Sequence, residues 1–309
     1  MTQKELLKKI GSVEQIGGIH DFTYNDGKMK GVRVIEINTG KIRFRILPDR
    51  GMDIAQAEFE GTSFSWISKT GITAPQYYEK DGSNWLRGFY GGLMTTCGLK
   101  NVDFAYGDHG LHGRIANTPA SKISVFADWI EDDYVMKVSG EMRECTALGF
   151  NLVLKRVITA KLFESKFTVE DTVINEGFKD EGVALCYHCN FGYPLVDEGS
   201  RLVNVPNEIA DVSAPINGKK NEGIHVPYDT DVQTVGVENG TFGAYITYKR
   251  DTLPGFLVWK MMGEGAYAVG FEPRTFFGPA KKEENDDWLV NLKPFEKLST
   301  QLIFELKRL

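Results

Sequence analysis

Cysteine is scarce in this chain. The 309 residues hold four, at Cys97, Cys145, Cys186 and Cys189, too few for a disulfide framework. Long apolar runs are missing as well. Nothing approaches the length of a membrane span, and the charged, amphipathic start Met1-Thr-Gln-Lys-Glu-Leu-Leu-Lys-Lys-Ile10 lacks the apolar core of a secretory signal. These absences set a cytoplasmic protein, with no membrane partner, as the expectation. Positive charge is in deficit, with 36 Lys and Arg against 42 Asp and Glu and a net of −6, which gives no electrostatic reason for nucleic-acid binding. The sequence has no Gly-rich phosphate loop, no nucleophile elbow, no repeat of fixed period and no Pro/Ser-rich linker. The expectation is one domain over 1–309, with 1–20 as a helical extension, in a monomer or homodimer that uses no cofactor and holds no metal.

Strand patterning dominates what is present. Gly31 to Ile37 alternates, and Asn38-Thr-Gly40 turns it into Lys41 to Leu47, a hairpin with glycine where a positive φ is wanted. Two more hairpins read from Lys122 to Trp129 with Tyr134 to Arg143, and from Asn151 to Leu162 with Lys166 to Ile174. Further strands follow at Gly243 to Tyr248, Gly255 to Lys260, Ala266 to Phe271 and Leu298 to Leu306, while helical periodicity is confined mainly to Gln3 to Ile10. Many short strands punctuated by 33 glycines, without a βαβ rhythm, point to an all-β fold, a large antiparallel β-sandwich. The longest irregular stretches, about Ser68 to Leu99 and Asp197 to Gln233, are candidate loops over a pocket.

The run Ala184-Leu-Cys-Tyr-His-Cys-Asn-Phe-Gly-Tyr-Pro194 carries polar residues where a core strand is normally apolar. If it is extended, Ala184, Cys186, His188 and Asn190 share one face and Leu185, Tyr187, Cys189 and Phe191 the other. That count sends the two cysteines of the C-x-x-C to opposite faces, against a zinc or dithiol role. A lone strand histidine is commonly a hydrogen-bonded core residue, but His188 beside Asn190 suggests a wet concave surface, since two buried polar groups are costly unless satisfied. His112 and Arg114 share a face by the same count, unless Gly110 and Gly113 make the segment a loop. Glu272 and Arg274 end an apolar strand, and a carboxylate held ionised near arginines can serve as a general base. Its plainer reading is an ion pair with a surface arginine. Trp85, Arg87, Phe89 and Tyr90 form an aromatic stretch suited to a ring substrate, and Trp259 with Lys260 ends another strand. His109, His112 and His188 are the only hint of a metal set, and nothing else resembles a metal signature.

At these residues the chain resembles the aldose 1-epimerase (galactose mutarotase-like) superfamily, and more closely its DUF4432 branch. The resemblance rests on Leu47-Pro-Asp-Arg-Gly-Met-Asp53, Trp85 to Leu99, Gly110 to Ala120, Tyr187 to Leu195 and Phe271-Glu-Pro-Arg274. It implies a β-supersandwich with an open sugar groove, a small-molecule sugar as partner, His112 as a sugar-contacting histidine, His188 as the general acid and Glu272 as the general base. Arg87, Arg114, Asn190, Arg274 and Trp259 complete the expected substrate contacts. Two departures stand out. The segment Gly113-Arg-Ile-Ala-Asn117 follows His112 directly instead of lying well upstream of it, and the family's hydroxyl-gripping aspartate has no clear counterpart, Asp229, Asp231 and Asp251 being the candidates. Three arginines near the site suggest an oxidised or acidic sugar. The expected reaction is interconversion of sugar anomers. The alternatives are epimerisation or elimination at a carbon α to a carbonyl of a keto- or uronic sugar, and non-catalytic carbohydrate binding.

Overall fold

Alternating apolar and polar residues build long antiparallel strands in the computed structural model, which describes residues 2–105, 108–228, 230–277 and 288–309. The expected hairpins form, as Arg33–Asn38 with Ile42–Leu47, Ser121–Ile130 with Asp133–Cys145, and Asn151–Lys161 with Lys166–Asn175. Gly40 supplies the positive φ (+80°) that the first of these turns needs.

Three sheets arise among the described residues. An eight-stranded sheet runs, in spatial order, through Arg201–Val203, Val232–Glu238, Phe242–Lys249, Lys297–Arg308, Lys166–Asn175, Asn151–Lys161, Asp133–Cys145 and Ser121–Ile130. A five-stranded sheet follows chain order from Gly18–Thr23 to Thr62–Ser63. The third orders Glu222–His225, Gly255–Gly263, Ala266–Arg274, Glu181–Gly192 and Val290–Leu292, with Thr95–Leu99 also paired to Glu181–Gly192. The fold is all-β, as the alternation requires.

One face of the large sheet packs against the other two sheets, and residues of all three share the main apolar core. Phe44, Phe167 and Phe304 stack through it with centroids 4.1 and 4.9 Å apart. Full burial of one such ring is worth about 1.5–3 kcal/mol. Inside this core Arg156 forks onto Asp171 (2.8 and 2.6 Å) and reaches Asp53 (3.1 Å), with all three side chains at 0–1% exposure. Thr96 donates to Asp53, and the Tyr187 hydroxyl donates to Asp171 at 2.7 Å. Burial raises the Asp53 carboxyl to about 6, although Arg156 pulls the other way.

Two expectations need correcting here. The N-terminal region is not helical through residue 20. The α-helix covers only Gln3–Leu7, closed by a Thr2/Glu5 capping box, and Gly18–Thr23 is already a strand paired with Arg33–Asn38. Gly11 and Ser12 interrupt the helical pattern, Ser12 capping the next short turn instead. The stretch Ser68 to Leu99 is irregular only as far as Met94, because Thr95–Leu99 is a fully buried strand whose run of small and apolar residues shows no alternation. Among the described residues no helix is long and apolar enough to cross a membrane.

Candidate active site

The third sheet forms the floor of a cavity of about 540 Å³. Its pleat decides what faces the cavity. On Glu181–Gly192, Leu185, Tyr187, Cys189 and Phe191 enter the main core, while Ala184 and Cys186 join Trp85, Phe89 and Cys97 in a smaller cluster on the other side. His188 lies on that second face, and the two cysteines of the C-x-x-C point apart. Neighbouring strands present matching rows, His225 opposite Leu257 opposite Glu272, then Gly223 opposite Trp259 opposite Gly270. Leu257, Trp259 and Met261 are two apart and all line the cavity. Trp85, Leu86 and Phe89 close it from the first stretch expected to be irregular, whereas the second, Asp197 to Gln233, holds the strands Arg201–Val203 and Glu222–His225, and Asn221, Gly223 and His225 line the cavity at the latter.

Glu272 is the hub. One carboxylate oxygen lies 3.4 Å from His188 Nε2, and the other accepts from Arg274 Nη2 and from the Cys186 thiol at 3.5 Å. Arg274 is sealed and donates its other amino group to Asp103 at 2.9 Å. Burial alone lowers its pKa, but Cys186, Glu272 and Asp103 outweigh that and raise it above the ordinary arginine value. Asp103 also gives its backbone N–H to His112 Nδ1 at 3.2 Å. The His112 ring is therefore held with its proton on Nε2. Burial, reinforced by the nearby His188, lowers its pKa to about 4, so it is a neutral donor near pH 7. The two imidazoles stand edge to face at 6.0 Å, with Trp85 at 4.7 Å from His112 and Phe89 and Trp259 at 5.2 and 5.3 Å from His188. The His188 Nδ1 is buried with no hydrogen-bond partner among the described residues.

Glu272, His188, His112 and Trp259 thus converge on one cavity, and the other expected contacts do not line it. The segment around His112 is a turn rather than a strand. His112 (φ +57°) and Gly113 (φ +73°) are both left-handed, and a Cβ on Gly113 would sit 2.3 Å from the Gly98 carbonyl. That turn aims Arg114 back at His109 Nδ1 (3.3 Å) and the Asp108 carbonyl (2.7 Å). Arg87 is exposed beside Glu79 at 3.6 Å. Asn190 is buried and clamps the carbonyls of Gly92 (3.1 Å) and His188 (2.9 Å). Arg274 lies beneath the cavity. Asp231 and Asp251 are exposed and away from it, and Asp229 lies outside the described residues. Lys260 is tied to the carbonyls of Ile209 and Asp211. Sequence reading missed Trp66, Asp103, Asn221 and His225. The period-two spacing of Asn221, Gly223 and His225 was a usable signal for part of this wall. No group of three or more potential metal ligands occurs among the described residues.

A β-rich scaffold with a histidine- and glutamate-bearing cavity on one sheet defines the class, and comparison with known proteins agrees at the level of fold. The chain belongs to the family described as "Domain of unknown function (DUF4432)", whose model matches residues 29–306. It superposes on a "putative aldose 1-epimerase" from Klebsiella pneumoniae with a TM-score of 0.87 at 22% identity, covering 99% of this chain and 86% of that one. A galactose mutarotase-like protein from Clostridium acetobutylicum gives a TM-score of 0.65 at 14% identity, covering 96% and 100%. A galactose mutarotase related enzyme from Lactobacillus acidophilus gives 0.58 at 12%, covering 93% and 97%. The fold is galactose mutarotase-like. Comparison with curated proteins gives no match.

Proposed function

We propose that the protein is an aldose 1-epimerase-type enzyme acting on the free anomeric centre of a sugar. Glu272 takes the proton of the anomeric hydroxyl while His188 gives a proton to the ring oxygen. The C1–O5 bond breaks, the resulting aldehyde turns about its bond to C2, and closure on the other face returns both protons and yields the other anomer. His112, a neutral donor fixed by Asp103, orients the ring through its Nε2 proton.

The observation that carries this reading is the 3.4 Å contact between His188 Nε2 and Glu272 on the cavity floor. The hydroxyl oxygen and the ring oxygen sit on the same carbon, so their base and acid must be neighbours. Aromatic walls at Trp85, Phe89 and Trp259 offer apolar faces to a pyranose. The positions of Arg87 and Arg114 outside the cavity, and the commitment of Arg274 to two carboxylates, favour an uncharged sugar over the acidic one suggested by the sequence.

The test is anomer exchange followed by NMR. Glu272→Gln keeps the shape of the site but removes the base, and the rate above background is expected to fall about 10²–10⁴-fold. Undiminished exchange in that variant removes Glu272 from the mechanism. Running the wild type in deuterium oxide separates the carbon-acid alternatives, since ring opening places no deuterium on carbon.

A further inference from the structure

Ser121–Ile130 is the longest open sheet edge among the described residues, and we propose that it pairs with the same strand of a second copy of this chain, antiparallel about a two-fold axis at Val125. The strand has ten residues, whereas the other edge strands have two to six. Its inner side is joined to Asp133–Cys145 by the turn Glu131-Asp132, with Ile130 opposite Asp133, and its outer side meets no described strand. A two-residue hairpin loop closes on a hydrogen-bonded pair. Ile130, Asp128, Phe126 and Ser124 therefore direct their backbone groups to the neighbouring strand, and Trp129, Ala127 and Val125 turn theirs outward. The Trp129 N–H agrees with that count, since it donates to the Asp128 side chain at 2.7 Å instead of to a strand. Open edges are normally blunted by shortness, proline, bulges or several charges. From Ser124 to Ile130 there is no proline and no glycine, and one charge, at Asp128. Val125, Phe126 and Ile130 are 41, 40 and 51% exposed. The bulge between Ser121 and Ser124 lies at the far end and leaves this run flat.

Charge selects the occupant and its direction. One end of the strand carries Lys122, which shares Glu141 with Lys155 and leaves positive charge in excess. The other end carries Asp128, followed by Glu131 and Asp132. An antiparallel copy sets basic end against acidic end twice over, whereas a parallel copy sets like against like. With the axis at Val125, that residue faces its own copy and the two exchange both backbone hydrogen bonds, Ala127 faces Ile123, and Lys122 comes beside Asp128 of the second copy. Moving the axis to Ala127 sets Asp128 against Phe126 instead. The Val125 pairing is isologous, so it closes on itself and leaves neither of the two edges free for a third chain. The strand belongs to the large sheet and lines no part of the cavity, so association is independent of the chemistry there.

The test is sedimentation equilibrium on the whole chain at about 20 µM, a concentration that populates a dimer of micromolar affinity. The wild type is expected at twice the 34.6 kDa of one chain. Val125→Pro removes an outward N–H that the single chain does not use, and an edge strand tolerates proline. Its circular dichroism is expected to match the wild type while its mass falls to that of one chain. Asp128→Lys and Lys122→Glu, both at exposed positions, are each expected to weaken association about tenfold or more, and the double variant carrying both to restore it. A wild type that sediments as one chain overturns the proposal, as does a dimer that survives Val125→Pro. Single charge reversals that leave the association constant unchanged overturn it as well. Should Val125→Pro fail to fold, the two reversals and their combination decide alone.

Discussion

Two arginines in this molecule each sit between two carboxylates, and their surroundings differ. Arg156 lies in the main core with Asp171 and Asp53, sealed on every side by apolar residues of three sheets. Arg274 is as deeply buried, but its partners Glu272 and Asp103 border the cavity, Asp103 being 17% exposed. Around Arg156 the other polar partners are a threonine hydroxyl and backbone carbonyls that accept from it, and a tyrosine that donates to Asp171. Around Arg274 stand two imidazoles and two thiols, at His112, His188, Cys97 and Cys186. Removing charge from water is costly wherever it happens. Under the proposed function, what separates the two clusters is whether the carboxylate can meet a ligand and a proton donor at once.

Arg156→Leu leaves Asp171 and Asp53 buried without their partner, and a loss of about 3–5 kcal/mol in unfolding free energy by denaturant titration is expected. Glu272→Gln inverts the pattern, giving the large loss of anomer exchange described above with a melting temperature close to wild type. Glu144 sharpens the contrast from a third position. It is buried, accepts from the Leu99 N–H at 2.9 Å, and burial raises its pKa to about 7. Because its folded value lies above its unfolded one, the carboxyl contributes stability that is complete below about pH 4.5 and is lost as pH rises through about 7. The slope it adds is at most about 1.4 kcal/mol per pH unit, and Glu144→Gln is expected to flatten the thermal-stability profile across that window. An unchanged slope would show that this acid does not titrate with folding. The smallest effect is expected from Arg274→Lys, which keeps the charge but cannot fork onto both carboxylates. Turnover should fall about tenfold, roughly 1.4 kcal/mol, with KM little changed, while a rise in KM alone would place Arg274 in ground-state binding instead.

Much of the scaffold was legible because strand patterning is local. Asn151–Lys161 and Lys166–Asn175 alternate cleanly, and their pairing follows from a short turn. The polar face of Glu181–Gly192 was legible for the same reason, and counting by twos placed His188 and separated Cys186 from Cys189. Thr95–Leu99 was not legible, because a strand buried on both faces has no alternation to read. Arg114 shares a face with His112 only if the chain there is extended, and two consecutive left-handed residues remove that condition. Asp103 and Trp66 could not be found from sequence, since each reaches the cavity through contacts distant along the chain, Asp103 to Arg274 and Trp66 to Trp259. Face counting identifies what a strand presents, but not which loop will close over it.

Of the five tryptophans in the chain, Trp66, Trp85 and Trp259 border one cavity, whereas Trp129 packs on Tyr134 in an outer strand of the large sheet. Emission from this protein is therefore weighted toward that cavity. Under the proposed function a sugar bound against those indoles is expected to displace water from them and alter their fluorescence, so occupancy can be followed in dilute, unlabelled samples without any coupled assay.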